Sequence, residues 1–178
     1  MVQAVASLPE GLRRQVAILI AGKPPQDDEL RQVEALRMTD AVVFTGLLRD
    51  ARPLLSAIDV GFVLSSRVET ISFACREMMA AGKPVFVSDT GGLAENVTEG
   101  SSGWIVLARS VARVAETLTE ILENRILLDW MAAAARRKAV RDFSLEMFVR
   151  GTERVYDGGR AARLSPDRIG ERLDESHY

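Results

Sequence analysis

Glu69 and Glu77 stand with seven residues between them in "SSRVETISFACREMMAAGKPVFVSDTGG", the stretch from Ser65 to Gly92. Winding Ser72 to Ala81 at about 100° per residue puts Phe73, Ala74, Ala80 and Ala81 on one arc, with Ser72 and Arg76 opposite. Glu77 falls inside the apolar arc. A carboxylate there must find hydrogen-bond donors or change its pKa. A backbone amide or a neighbouring Ser or Arg can supply the donors, or a ligand can, such as the two hydroxyls of a ribose. Under the second reading Glu69, in the loop ahead of the helix, reaches another part of the same ligand. The helix N-terminus between the two glutamates favours an anionic group such as a phosphate.

These residues need a scaffold, and the chain supplies one. "QVAILIAG" (Gln15 to Gly22), "AVVFTG" (Ala41 to Gly46), "VGFVL" (Val60 to Leu64) and "PVFVS" (Pro84 to Ser88) are short, continuously apolar runs, as expected of strands covered on both faces. "WIVL" (Trp104 to Leu107) is a weaker fifth. Between them "DDELRQVEALRM", "DARPLLSAI", "SFACREMMAAG" and "GLAENV" read as helices of one to three turns. Strands alternating with helices predict right-handed crossovers and a parallel sheet with helices on both faces. Ligands bind such sheets at the carboxyl ends of the strands. "VGFVL" runs into "SSRVETIS", which places Glu69 in the crevice loop. The rest reads as helical: "SVARVAETLTEILEN", "RILLDWMAAAARRKAVRDF" and a segment opening at Ser144, a good N-cap. From Gly158 onward a polar, Gly-rich tail is expected.

Composition excludes several classes of function. The chain has 178 residues and a net charge of −2 with mixed signs, which fits one domain and leaves no basic footprint for nucleic acid. Cys75 is the only cysteine and His177 the only histidine, so disulfide frameworks, cysteine-based zinc sites and histidine-based triads are not expected. No run approaches the roughly 20 apolar residues of a membrane span, and a signal-peptide order is missing. A cytoplasmic protein acting on a small molecule or another protein is the expectation.

The stretch resembles the donor-binding half of the retaining GT-B glycosyltransferases, the group 1 glycosyl transferases. Their signature is a glutamate, seven residues, a second glutamate, an Ala/Met/Gly turn, a Pro-Val strand and a Gly-Gly loop followed by an acidic residue. Glu69, Glu77, "MMAAGKPVFVSD", Gly91-Gly92 and Glu95 stand in that order. "VFTGLLRDARPLLSAIDVGFVLSS" and "SSGWIV" resemble the flanking blocks. The resemblance covers most of Gln15 to Val106 and, more loosely, the helices to Tyr156.

The resemblance implies a Rossmann-like domain over residues 1–157, lacking the family's first strand, followed by a flexible tail at 158–178. It gives Glu77 the nucleotide ribose and Glu69 the hydroxyls of the donor sugar. Backbone amides around Ile71, Ser72 and Phe73 meet the sugar and diphosphate, and Thr45, Gly46 and Leu47 meet the base. Gly91 and Gly92 either line the phosphate or sugar end or form a tight turn that needs glycine. The implied reaction passes a sugar from a nucleoside-diphosphate sugar to an acceptor hydroxyl with retention, without cofactor or metal, and with neither glutamate as nucleophile. Two other activities fit the same residues, a nucleotide-sugar-binding module without catalysis and a nucleotide-sugar epimerase.

Several features depart from the family pattern. The basic pair after the first strand and the N-terminal acceptor domain are missing, so the chain alone is expected to be inactive. Lys23 and Pro24 replace the usual Asp and second Gly of a ligand loop, and Thr70 replaces a frequent glycine. An open sheet edge and a bare domain face predict self-association, against a monomer whose N-terminal segment folds over the gap. Cys75 reads as a small buried hydrophobe, Met78 and Met79 as facing the sheet, and "NVT" at Asn96 as a chance glycosylation pattern. The run Arg136 to Lys138 reads as a solvated helix face, and offers the complete enzyme a peripheral contact with a membrane or acceptor.

Overall fold

Short apolar runs become strands and the stretches between them become helices. The computed structural model of the chain describes residues 1–65 and 69–163. Ser66, Arg67 and Val68 of the crevice loop, and residues 164–178 with His177 and most of the expected tail, lie outside the described residues. The order is α1 (Val2–Ala6), α2 (Glu10–Arg13), β1 (Ile18–Ala21), α3 (Asp27–Ala35), β2 (Val42–Gly46), α4 (Arg52–Ala57) and β3 (Gly61–Val63). There follow α5 (Phe73–Ala80), β4 (Val85–Ser88), a 3₁₀ turn (Ala94–Asn96), β5 (Gly103–Val106), α6 (Val111–Glu123), α7 (Ile126–Asp142) and α8 (Leu145–Arg163). Each of the five expected strands is present.

All pairing is parallel, as the alternation predicts. The strands are divided between a two-stranded sheet, β1–β2, and a three-stranded sheet, β3–β4–β5. In a doubly wound sheet the first strand stands between the second and the fourth. The five strands fit the second to sixth places of that order, with no strand among the described residues in the central place.

The chain forms two compact units, Met1–Ala139 and Val140–Tyr178. In the first, one apolar core serves both sheets: Ile18 and Val42 from β1 and β2, Phe86, Trp104 and Val106 from β4 and β5. β4 is buried along its whole length, which is why its sequence is apolar without alternation. Phe86 and Trp104 pair across β4 and β5 with ring centroids 4.8 Å apart. The segment ahead of β1, where the sequence offered no element, folds into α1 and α2, and α1 lays Ala4 and Val5 into the core beside α6. In the second unit α8 continues past Gly158 to Arg163, beyond the point where a polar tail was expected. Ala161 and Ala162 beyond the glycines favour helix enough to carry it on.

Candidate functional site

The carboxyl ends of β2, β3 and β4 carry the residues singled out in the sequence. Thr45 and Gly46 end β2, and Gly46, at φ +70°, turns the chain into the exposed Leu47. β3 leads through Leu64 and Ser65 toward the half-buried Glu69. Ser72 then caps α5, its hydroxyl oxygen accepting the Cys75 N–H at 3.3 Å. Such a cap contributes about 1 kcal/mol, and it commits the Ser72 side chain to the helix. The amides of Phe73 and Ala74 sit in the first turn, where a helix provides no acceptor of its own.

The face that α5 buries differs from the expectation. The helical wheel grouped the residues correctly, but the interior takes the other side. Ser72, Cys75 and Met79 are buried and Arg76 and Met78 half-buried, whereas Phe73, Ala74, Glu77, Ala80 and Ala81 are exposed. The buried side carries Cys75, Met78 and Met79, whereas three of the four apolar residues on the open side are alanines with little area to bury, and only Phe73 leaves a large side chain exposed. Met78 lies over Gly61, where an added Cβ would come within 2.4 Å of its sulfur. Glu77 therefore needs no buried donor. It stands in the middle of the open face, four residues from Phe73, which is 72% exposed.

The Gly91–Gly92 loop is seated on the backbone of the glutamate loop. Gly92 donates its N–H to the Glu69 carbonyl at 2.8 Å. A Cβ on Gly91 would lie 2.1 Å from the Glu69 oxygen, and one on Gly92 would lie 2.4 Å from the Thr70 oxygen. Gly91 also has a φ of +57°, a region open to glycine at little cost. The far end of the loop is held as well. Ser88 and Thr90 donate their hydroxyls to the Ser65 carbonyl at 2.8 and 3.3 Å. These bonds join the glycine loop to Glu69 and Ser65, and none of them extends to Thr45, Gly46 and Leu47, at the end of β2 in the other sheet.

Two residues at this site escaped the sequence reading. Asn96 is 1% exposed; its amide nitrogen donates to the carbonyls of Gly92 and Leu93 at 3.2 and 3.1 Å, and its oxygen accepts from Arg76 Nε at 2.9 Å. Buried in this way, Asn96 has no room for a glycan. Arg76 fell opposite the apolar arc of the wheel, and no spacing rule connects it to a residue twenty positions on. Cys75 is fully buried, and burial pushes its thiol up to about 11, with the Arg76 charge opposing. Arg136, in the basic run on α7, donates to the Ala80 carbonyl at the end of α5 at 2.6 Å.

A hollow of about 390 Å³ opens at the opposite, amino ends of β3 and β4, lined by Asp59, Lys83, Arg125 and Asp129 among others. It has no part in the glutamate site. Among the described residues no three of His, Cys, Asp and Glu come together as metal ligands, and no helix is long and apolar enough to cross a membrane.

Parallel strands alternating with helices, with glutamates on either side of a helix N-terminus beyond their carboxyl ends, define a doubly wound α/β protein. The family described as glycosyl transferases group 1 matches residues 1–138, and the chain belongs to it. Over 169 residues it is 32% identical to a glycogen synthase of Mycobacterium tuberculosis, covering 92% of this chain and 40% of that protein. Over 144 residues it is 34% identical to a GDP-mannose-dependent phosphatidylinositol monomannoside mannosyltransferase of the same organism, covering 74% and 37%. Among solved structures, Anabaena HepE in complex with UDP matches with a TM-score of 0.78 at 22% identity, over 88% of this chain and 44% of that one. The fold is that of the GT-B glycosyltransferases. The chain spans about two-fifths of the length of these relatives.

Proposed function

We propose that the chain is the donor-binding part of a retaining glycosyltransferase, moving a sugar from a nucleoside-diphosphate sugar to an acceptor hydroxyl. The observation that carries this reading is the placement of Glu69 and Glu77 on either side of the α5 N-terminus, at the carboxyl ends of parallel strands. The open position of Glu77 supports it: an exposed carboxylate on a crevice face is free to accept two ribose hydroxyls. Glu69 accepts hydroxyls of the sugar. The first-turn amides of α5 take the diphosphate, and the backbone of Thr45 to Leu47 takes the base. The names of similar proteins support the donor class: one relative is GDP-mannose-dependent, and HepE was crystallised with UDP-glucose.

In this mechanism the glutamates position the donor and neither one attacks. The acceptor oxygen bonds to the anomeric carbon on the face from which the diphosphate leaves. The bond from that carbon to the diphosphate oxygen breaks, and the hydroxyl proton passes to the departing phosphate. The reading assigns acceptor binding to a second domain, so the 178-residue chain is expected to bind donor weakly and to transfer nothing. Calorimetric titration with UDP-, GDP- and ADP-sugars tests the donor role. Binding that weakens in Glu77→Gln is the expected result, and a chain that binds no nucleotide sugar at millimolar concentration overturns the reading. A radiolabel transfer assay on the purified chain tests the rest: transfer to any acceptor would refute the division of labour.

A further inference from the structure

Arg76 and Asn96 make a connection that the donor reading does not itself require. Arg76 directly precedes Glu77 on α5, and its Nε reaches Asn96 in the 3₁₀ turn at 2.9 Å. A side-chain amide offers two N–H donors and one carbonyl acceptor. Asn96 uses both kinds, giving hydrogens to Gly92 and Leu93 and accepting from Arg76. The Gly92 whose carbonyl it holds is the residue whose own N–H holds the carbonyl of Glu69. The path is closed: from the helix that carries Glu77, through Arg76, Asn96 and Gly92, to the backbone of Glu69, and along the chain back into α5. A buried polar network is costly to leave half made, so the side chain of Asn96 is satisfied only when helix and glycine loop stand in register.

We propose that Arg76 and Asn96 are positioning residues that fix the Glu69 backbone relative to Glu77, and so tie recognition of the donor's sugar to the helix that recognises its ribose. The proposal rests on the donor reading of the two glutamates, and on no particular base or sugar. Neither residue meets the ligand; both act through Gly92.

Asn96→Leu keeps the volume and loses all three bonds. Asn96→Asp keeps the acceptor for Arg76 and loses both donated bonds. Hydrogen exchange and ligand titration are read together on the whole chain, with UDP, UDP-glucose, GDP and GDP-mannose as probes. In both variants the Gly92 amide is expected to exchange about tenfold faster while the amides of Val85 to Ser88 keep their rates, because the opening is local. The advantage of a nucleotide sugar over the plain nucleotide is expected to fall by about fivefold, the loss of one neutral hydrogen bond, with plain nucleotide changed less than about twofold. Arg76→Lys, which keeps a cationic donor on a flexible stem, is expected to preserve Gly92 protection where Arg76→Leu does not. An unchanged Gly92 rate, a uniform rise through β4, or equal losses for nucleotide and nucleotide sugar overturns the proposal. Failure of the donor reading registers differently: wild-type chain binds none of the four probes, and the exchange rates alone then decide the tether.

Discussion

Replacing Gly92 with alanine measures how tightly the glycine loop is seated. The new Cβ would lie 2.4 Å from the Thr70 oxygen, and real Cβ contacts stay at 3.0 Å or beyond, so the two backbones must part by at least 0.6 Å. The oxygen is main chain and a Cβ is fixed rigidly to its own backbone, so no flexible side chain can absorb the shift. Parting on that scale stretches the 2.8 Å bond from Gly92 to Glu69 out of the range of a good hydrogen bond. Its loss costs about 1 kcal/mol, the displaced backbone adds about 1–2 kcal/mol, and the stiffer unfolded chain returns about 0.4–1 kcal/mol. The net destabilisation is about 1–3 kcal/mol, which at about 2–4 °C per kcal/mol lowers the melting temperature by roughly 2–12 °C. Gly11→Ala is the control. It sits inside α2 with nothing within 4 Å of an added Cβ, and is expected to gain about 0.5–1 kcal/mol. Thermal scans of the three proteins by circular dichroism decide the matter. A Gly92→Ala chain that melts within a degree of wild type and keeps any preference for nucleotide sugars would refute the seating argument.

Glu77→Gln is expected to weaken nucleoside-diphosphate binding by about 1–3 kcal/mol by calorimetry, since a charged acceptor becomes a neutral one. Glu69→Ala should spare the plain nucleotide and penalise only the nucleotide sugar; equal losses would contradict the separate roles. The Cys75 thiol, raised by burial from 9.0 to about 11, holds its proton more tightly folded than unfolded. Its contribution is therefore complete below pH 9 and lost as pH rises through 11, so wild type should lose about 1–3 kcal/mol more than Cys75→Ala over that window in denaturant titrations. Gly103→Ala, whose Cβ would meet the Val85 oxygen at 2.2 Å, should destabilise more than Gly61→Ala, whose Cβ meets the flexible end of Met78; equal melting temperatures would argue against this contrast.

The strands were legible because β4 and its neighbours are covered on both faces, which writes continuous apolar runs into the sequence. The glutamate spacing was legible because a short loop and one helix fix it locally. Which face of α5 turns inward was not, since a wheel that treats alanine and methionine alike cannot weigh the area each one buries. α1 and α2 run to five and four residues, too short to display a helical period. The Arg76–Asn96 bond could not be read at all: it joins residues twenty apart through side chains, and no local preference records it. The seating of Gly91 and Gly92 was half legible. Glycine pairs signal turns or close approach, but only the structure shows that what they approach is the backbone of Glu69 and Thr70.

The division of the strands into two sheets has a mechanical consequence. Among the described residues no hydrogen-bonded ladder crosses from β1 to β3, and what joins the sheets is the connection through α4 and a shared apolar core. Ladder bonds are directional and stiff, whereas apolar contact is non-directional and tolerates sliding. Small relative displacements of the two sheets therefore break no ladder. Thr45, Gly46 and Leu47 ride on one sheet and Glu69 and Glu77 are carried by the other. A molecule long enough to touch both groups would act as a crosspiece between the two sheets.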